Sequence, residues 1–110
     1  MNTFHLDELE LAREPDGHGY LDFLSSDRLS VGYAIWPAGV SDRQQPHAED
    51  EVYHVVQGRA TIQVAEDEMP VQAGSVIYVA AGVEHHFHSI EEELRVVVFW
   101  APPHRRTGSV

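Results

Sequence analysis

The sequence predicts an all-β domain, a sandwich or a small closed barrel, on three observations. Short segments rich in Val, Ile, Tyr and Phe recur at close spacing between positions 20 and 101. The breaks between them carry turn residues: Pro37-Ala-Gly39, Gln57-Gly58, Glu66-Asp-Glu-Met-Pro70, Ala73-Gly74 and Ala81-Gly82. No long helical pattern separates them. Closing the sheet also removes the edges that so many Val-rich strands would otherwise expose.

Along the chain, positions 3–13 carry Phe4, Leu6, Leu9 and Leu11, a pattern that suits a short helix or an extended edge equally well. Glu14-Pro-Asp-Gly-His-Gly19 is a turn or loop. Strands are expected at 20–24, 29–36, 51–57, 59–65, 75–79, 84–89 and 94–101, with Glu91-Glu-Glu93 as a solvated turn. At 110 residues the chain is expected to be one domain, with a barrel core at about 29–101, an N-terminal arm at 1–28 and a loose tail with a basic tip at 102–110.

Apolar residues make up 43% and charged residues 23%, a globular balance. Eighteen acidic against seven basic residues give a net charge of −11, which repels phosphate backbones and anionic membranes, so neither nucleic acid nor membrane is expected as a partner. The longest apolar runs are far too short to span a bilayer. Cysteine is absent, which removes disulfides and thiolate zinc sites. The start of the chain has no secretory pattern, so a cytoplasmic location is expected.

Two clusters carry the chemistry. If 51–57 is a strand, Glu51, Tyr53 and Val55 share one face and Val52, His54 and Val56 the other. With Ala48-Glu-Asp50 as a turn, a hairpin brings Gln45 and His47 beside Glu51. Beyond the Ala81-Gly82 turn, His85 and Phe87 face one way, His86 and His88 the other. If His85 points into the same lumen, Gln45, His47, Glu51 and His85 form one site. Two imidazoles, a carboxylate and an amide oxygen suit a divalent ion such as Fe, Mn, Ni, Co or Zn. Gln44 takes the place of Gln45 if the segment bulges. Tyr53 shares the face of Glu51 and can serve as core or as a donor to substrate, and Glu51 or Tyr53 is the candidate for moving protons. Val96, Val98 and Trp100 alternate as core. His54, His86 and His88 fall outside the site, and nothing in the sequence marks His5, His18 or His104 as ligands.

The chain resembles the single-domain cupins, small double-stranded β-helix (jelly-roll) barrels. The first motif is matched by Gly39, Gln45 in place of a His, His47, Glu51 and Gly58; the second by Gly74, Ala80 in place of Pro, Gly82, His85, and Ser89 in place of Asn. The resemblance runs from about 31 to 101. It implies the barrel fold, a metal held by the motif residues, a small-molecule substrate or ligand and a homodimer. The Gln-x-His variant also resembles the zinc site of cupin-type phosphomannose isomerases. Three functions follow as expectations: a metal-dependent, dioxygenase-like enzyme acting on a small organic molecule; a non-redox isomerase, cyclase or lyase; or a non-catalytic small-ligand-binding protein.

Overall fold

The computed structural model describes residues 1–104, and the basic tip at 105–110 lies outside the described residues. Among the described residues six strands make up the sheet: β1 (Gly19–Ser25), β2 (Ser30–Trp36), β3 (Asp50–Val64), β4 (Asp67–Gln72), β5 (Val76–Val79) and β6 (His85–Ala101). All pairings are antiparallel, in the order β1-β2-β6-β3-β4, with β5 paired to the first half of β3. The fold is the jelly-roll double-stranded β-helix. No helix among the described residues is long and apolar enough to cross a membrane.

Two expected pairs of strands are each one long strand. The Gln57-Gly58 break lies inside β3, and Glu91-Glu-Glu93 lies inside β6. The β3–β6 ladder runs from Asp50↔Ala101 to Val64↔His85, with register shifts between Val55 and Thr61. These bulges switch which face is inward: Glu51, Tyr53 and Val55 are buried before the shift, Ala60 and Ile62 after it. In β6 the inward set passes from His85 and Phe87 to Ile90 and Leu94, with Ser89 at φ 52° between them. The sequence predicts a break at Gln57-Gly58 and a turn at Glu91-Glu-Glu93, whereas both segments lie within a paired, bent ribbon. The acidic run keeps its side chains in solvent while Glu92 and Glu91 meet Arg59 at 2.7 and 3.3 Å.

The expected Glu66-to-Pro70 turn is instead mostly strand. Its reversal is confined to Ala65 and Glu66, and β4 follows as an edge strand that accommodates Pro70 opposite Thr61. The ambiguous N-terminal segment is neither a regular helix nor a strand. It forms a 3-10 turn at Leu6–Glu8 and a single bridge, Arg13↔Gly19. Its role is to cover: Leu6, Leu9 and Leu11 pack on the outer face of β2 and β6, against Val31, Tyr33, Ile35 and Val97.

The main core fills the barrel interior. Trp36, Tyr53, Val55, Phe87, Leu94, Val96, Val98 and Trp100 are all buried there, with Phe87 packed edge-on against Tyr53 and tilted against Trp36. The ladder pairs Glu51 with Trp100 and His85 with Val64, at opposite ends of the ribbon. Folding of the ribbon nevertheless brings Glu51 and His85 into contact across the interior, 3.0 Å apart.

Candidate metal centre

His47 lies in the irregular segment that joins β2 to β3. That segment is stitched to the β5–β6 turn: the Gly82 N–H donates to the His47 carbonyl at 2.7 Å, and the Ala81 N–H to Asp50 Oδ1 at 2.8 Å. Both motif clusters are therefore held by one set of loop hydrogen bonds. Donor atoms of His47, Glu51 and His85 all lie within 4.8 Å of one another, and all three residues are buried.

Gln45 is exposed and stands outside this group, so the structure corrects its expected place; Gln44 is the glutamine that turns inward. The physical reason is local. Residues 40–47 form no strand, so side chains do not alternate as in a pleat. Asp42 sets the direction instead, in an Asx-type turn: its Oδ1 accepts the Gln44 backbone N–H at 3.1 Å and its Oδ2 the Gln44 side-chain N–H at 2.6 Å. Asp42 Oδ2 also accepts the Phe87 N–H at 2.8 Å, tying this loop to β6. With its amide nitrogen so engaged, Gln44 presents Oε1 to the site, 3.3 Å from His47 Nε2 and 3.1 Å from His85 Nε2, where it also accepts the Tyr53 hydroxyl at 2.9 Å.

The donor set fits a divalent ion. His85 Nδ1 donates to the Val83 carbonyl at 2.8 Å, which turns Nε2 toward the site; the same outer hydrogen bond orients most metal-binding imidazoles. Nε2 then faces two oxygen acceptors, Glu51 Oε2 and Gln44 Oε1. Glu51 Oε1 is buried with no hydrogen-bond partner among the described residues. Lone pairs converging in a buried space call for a cation or a proton between them. Burial opposes charge on the His85 ring, but its hydrogen bond to Glu51 and that carboxylate's charge outweigh it and raise the His85 pKa.

Burial, with the charges of Glu51 and Asp42, pushes the Tyr53 phenol well above its ordinary pKa, so it remains a hydrogen-bond donor. Burial also raises the Asp42 carboxyl, against the hydrogen bonds from Phe87 and Gln44 that favour its ionised form. His54, His86 and His88 sit outside the cluster, half-buried, with His88 2.6 Å from Glu68. His104 differs most from expectation. Pro103 and His104 fall within the segment expected to be a loose tail, yet both are buried, and His104 stacks on Trp100 with ring centroids 4.0 Å apart. No spacing rule signals this, because the contact depends on the exit direction of β6. For Asp42, the short Asp-x-Gln spacing was the available signal.

A jelly-roll barrel with two histidines and a carboxylate gathered in its interior from two spaced motifs defines a class. The chain belongs to the cupin family, and the model of the Cupin domain matches residues 32–102. An uncharacterized protein of Streptomyces coelicolor is 52% identical over 103 residues, covering 94% of this chain and 98% of that one. Among solved structures, KdgF from Halomonas sp. superposes with a TM-score of 0.83 at 17% identity, over 97% of this chain and 96% of that one. An RmlC-like cupin from Shewanella frigidimarina gives a TM-score of 0.78 at 16% identity, over 93% and 91% of the two chains. A predicted oxalate decarboxylase from Thermotoga maritima gives 0.77 at 16% identity, over 91% and 98%. At such identities the likeness speaks to fold.

Proposed function

We propose that the protein is a metal-dependent, dioxygenase-like enzyme acting on a small organic molecule. The observation that carries this reading is the meeting of His47, Glu51 and His85 within 4.8 Å, the two-His, one-carboxylate set that leaves positions open on a divalent ion. These three residues would hold the ion, with Gln44 Oε1 beside them. When bound, the ion supplies a place for substrate oxygens and dioxygen to meet. The residues around it position and protect. Tyr53 keeps its proton and directs its hydroxyl into the cluster, and Trp36, Phe87 and Val98 keep the surrounding interior dry. Glu51 is the group that can exchange a proton with a substrate.

Metal analysis of the purified protein, followed by oxygen uptake with electron-rich phenols and diketones after iron loading, tests this. Iron or manganese with uptake supports it. Zinc without uptake favours a non-redox isomerase, cyclase or lyase, in which the ion acts as a Lewis acid and no dioxygen is needed. Stoichiometric metal without turnover of any kind would leave a ligand-binding protein.

Proton competition gives a second check. A proton and a metal compete for the same His85 ring nitrogen, and the raised His85 pKa strengthens the proton's side, so affinity is expected to rise with pH until the imidazole is neutral. Calorimetry in buffers of different ionisation enthalpy should detect the proton released. In the metal-free protein the sign is opposite. The stabilisation from protonated His85 is complete below the ordinary value of 6.5 and fades as pH rises through the elevated folded value.

Asp42 acts through Gln44 as a positioning residue. Asp42→Asn places an NH2 group against one of the donors that Asp42 now accepts, and metal affinity is expected to fall about 10- to 100-fold. A chelator-competition titration measures this. A lowered melting temperature with unchanged affinity would show a purely structural role.

A homodimer and a cytoplasmic location complete the proposal. Val76, Tyr78 and Phe99 lie exposed on adjacent strands around Val52, an outer apolar face that a second subunit can cover. A chain without cysteine needs no oxidising compartment. Sedimentation velocity of the wild type and Tyr78→Glu is expected to show a dimer and a monomer respectively.

A further inference from the structure

We infer that His47, Glu49 and His104 form a second divalent-cation site, separate from the motif cluster and sharing only His47 with it. Donor atoms of these three residues also lie within 4.8 Å of one another, and all three residues are largely buried. His47 stands between the two sets, its ring 5.4 Å from that of His85 and 5.5 Å from that of His104.

The site is built from distant parts of the chain and held firmly. His47 and Glu49 come from the segment entering β3, and His104 from the segment leaving β6. The backbone N–H of His104 donates to the buried Ser30 hydroxyl at 2.7 Å. Its ring lies flat on Trp100, and the Trp100 indole N–H is in turn anchored on the Tyr20 hydroxyl at 2.9 Å. The backbone anchor and the stacking together fix the position of the ring.

Glu49 carries the argument. Its Oε1 is buried and accepts no hydrogen bond among the described residues, and it lies 3.6 Å from His104 Nδ1. That separation exceeds a hydrogen bond. It matches two ligands of one ion: with bonds of about 2.0–2.2 Å in a tetrahedral arrangement, donor atoms lie roughly 3.3–3.6 Å apart. A buried carboxylate oxygen without a donor is costly, and a cation bound by Glu49 and the two imidazoles removes that cost. Two nitrogens and one oxygen select a borderline ion, Zn2+, Co2+ or Ni2+, over Mg2+ or Ca2+. The inference does not need the motif cluster to be occupied.

The test is a Zn2+ titration of the full chain, comparing wild type, His85→Ala, and His85→Ala combined with Glu49→Gln or His104→Ala. His85→Ala is expected to retain one Zn2+ per chain, and either added substitution to weaken that binding at least tenfold. If both double variants bind within twofold of His85→Ala, or if His85→Ala binds no Zn2+, the second site is overturned. A complementary arm separates the two sites and uses the wild-type chain. In protein labelled with 15N at histidine, Zn2+ is expected to shift the ring nitrogens of His104. Silence of those signals through two equivalents overturns the inference even if a variant fails to fold. Shifts at His85 with none at His104 would leave the motif cluster standing alone. Shifts at His104 with none at His85 would support the second site and remove the first.

Discussion

Glu51→Gln is expected to weaken divalent-metal binding at the motif cluster more than about 100-fold, because an outer hydrogen-bond partner alone is worth about 10- to 100-fold and Glu51 is the anionic member of that cluster. The substitution preserves shape, so the loss reports charge and donor strength rather than packing. It also removes the carboxylate that lies 3.0 Å from His85 Nε2 and raises the His85 pKa, so that pKa should fall. Zn2+-dependent shifts of the His85 ring nitrogens, followed against a competing chelator, measure the first effect, and histidine NMR across pH the second. Affinity within threefold of wild type would place the metal elsewhere. The paired readouts also separate a misfolded variant from one that folds but cannot bind, since only the folded protein gives a dispersed His85 signal.

Gly58→Ala is expected to destabilise the protein by about 3 kcal/mol or more. Gly58 sits at φ 94°, a left-handed conformation that alanine adopts only with strain. A Cβ there would lie 2.2 Å from the Glu93 carbonyl oxygen and 2.9 Å from the Leu94 Cα. These are backbone atoms of the paired strand and cannot swing aside. Relief would require opening the β3–β6 ribbon where it bends, the feature that folds His85 over Glu51. Urea denaturation should show the loss as a lowered midpoint, with metal affinity falling in parallel if the bend relaxes instead of breaking. A change below about 1 kcal/mol would mean that the two strands are less closely apposed at this point.

Fold class and the residue types of the candidate site are legible in the sequence alone. Alternation is legible wherever a strand is regular: Glu51, Tyr53 and Val55 are buried in the barrel interior, as are Val96, Val98 and Trp100, because successive side chains of a pleat take opposite faces. His47, Glu51 and His85 could be grouped because each sits beside a turn that motif spacing identifies. Alternation gave no guidance in the irregular segment before β3, where Asp42 and not a pleat aims Gln44 inward and leaves Gln45 in solvent. It also could not reveal that Gly58 and Ser89 bend paired strands, since positive φ serves a reversal and a bulge alike.

Tertiary structure alone decided the rest. Glu51 and His85 are far apart along their ladder and meet only because the ribbon folds over. His104 reaches His47 and Glu49 only because β6 delivers the chain to Ser30 and Trp100. Local pattern sets the face a side chain takes within its own element. Which faces meet is settled by long-range pairing and closure of the barrel, and the candidate metal centre is made at that level.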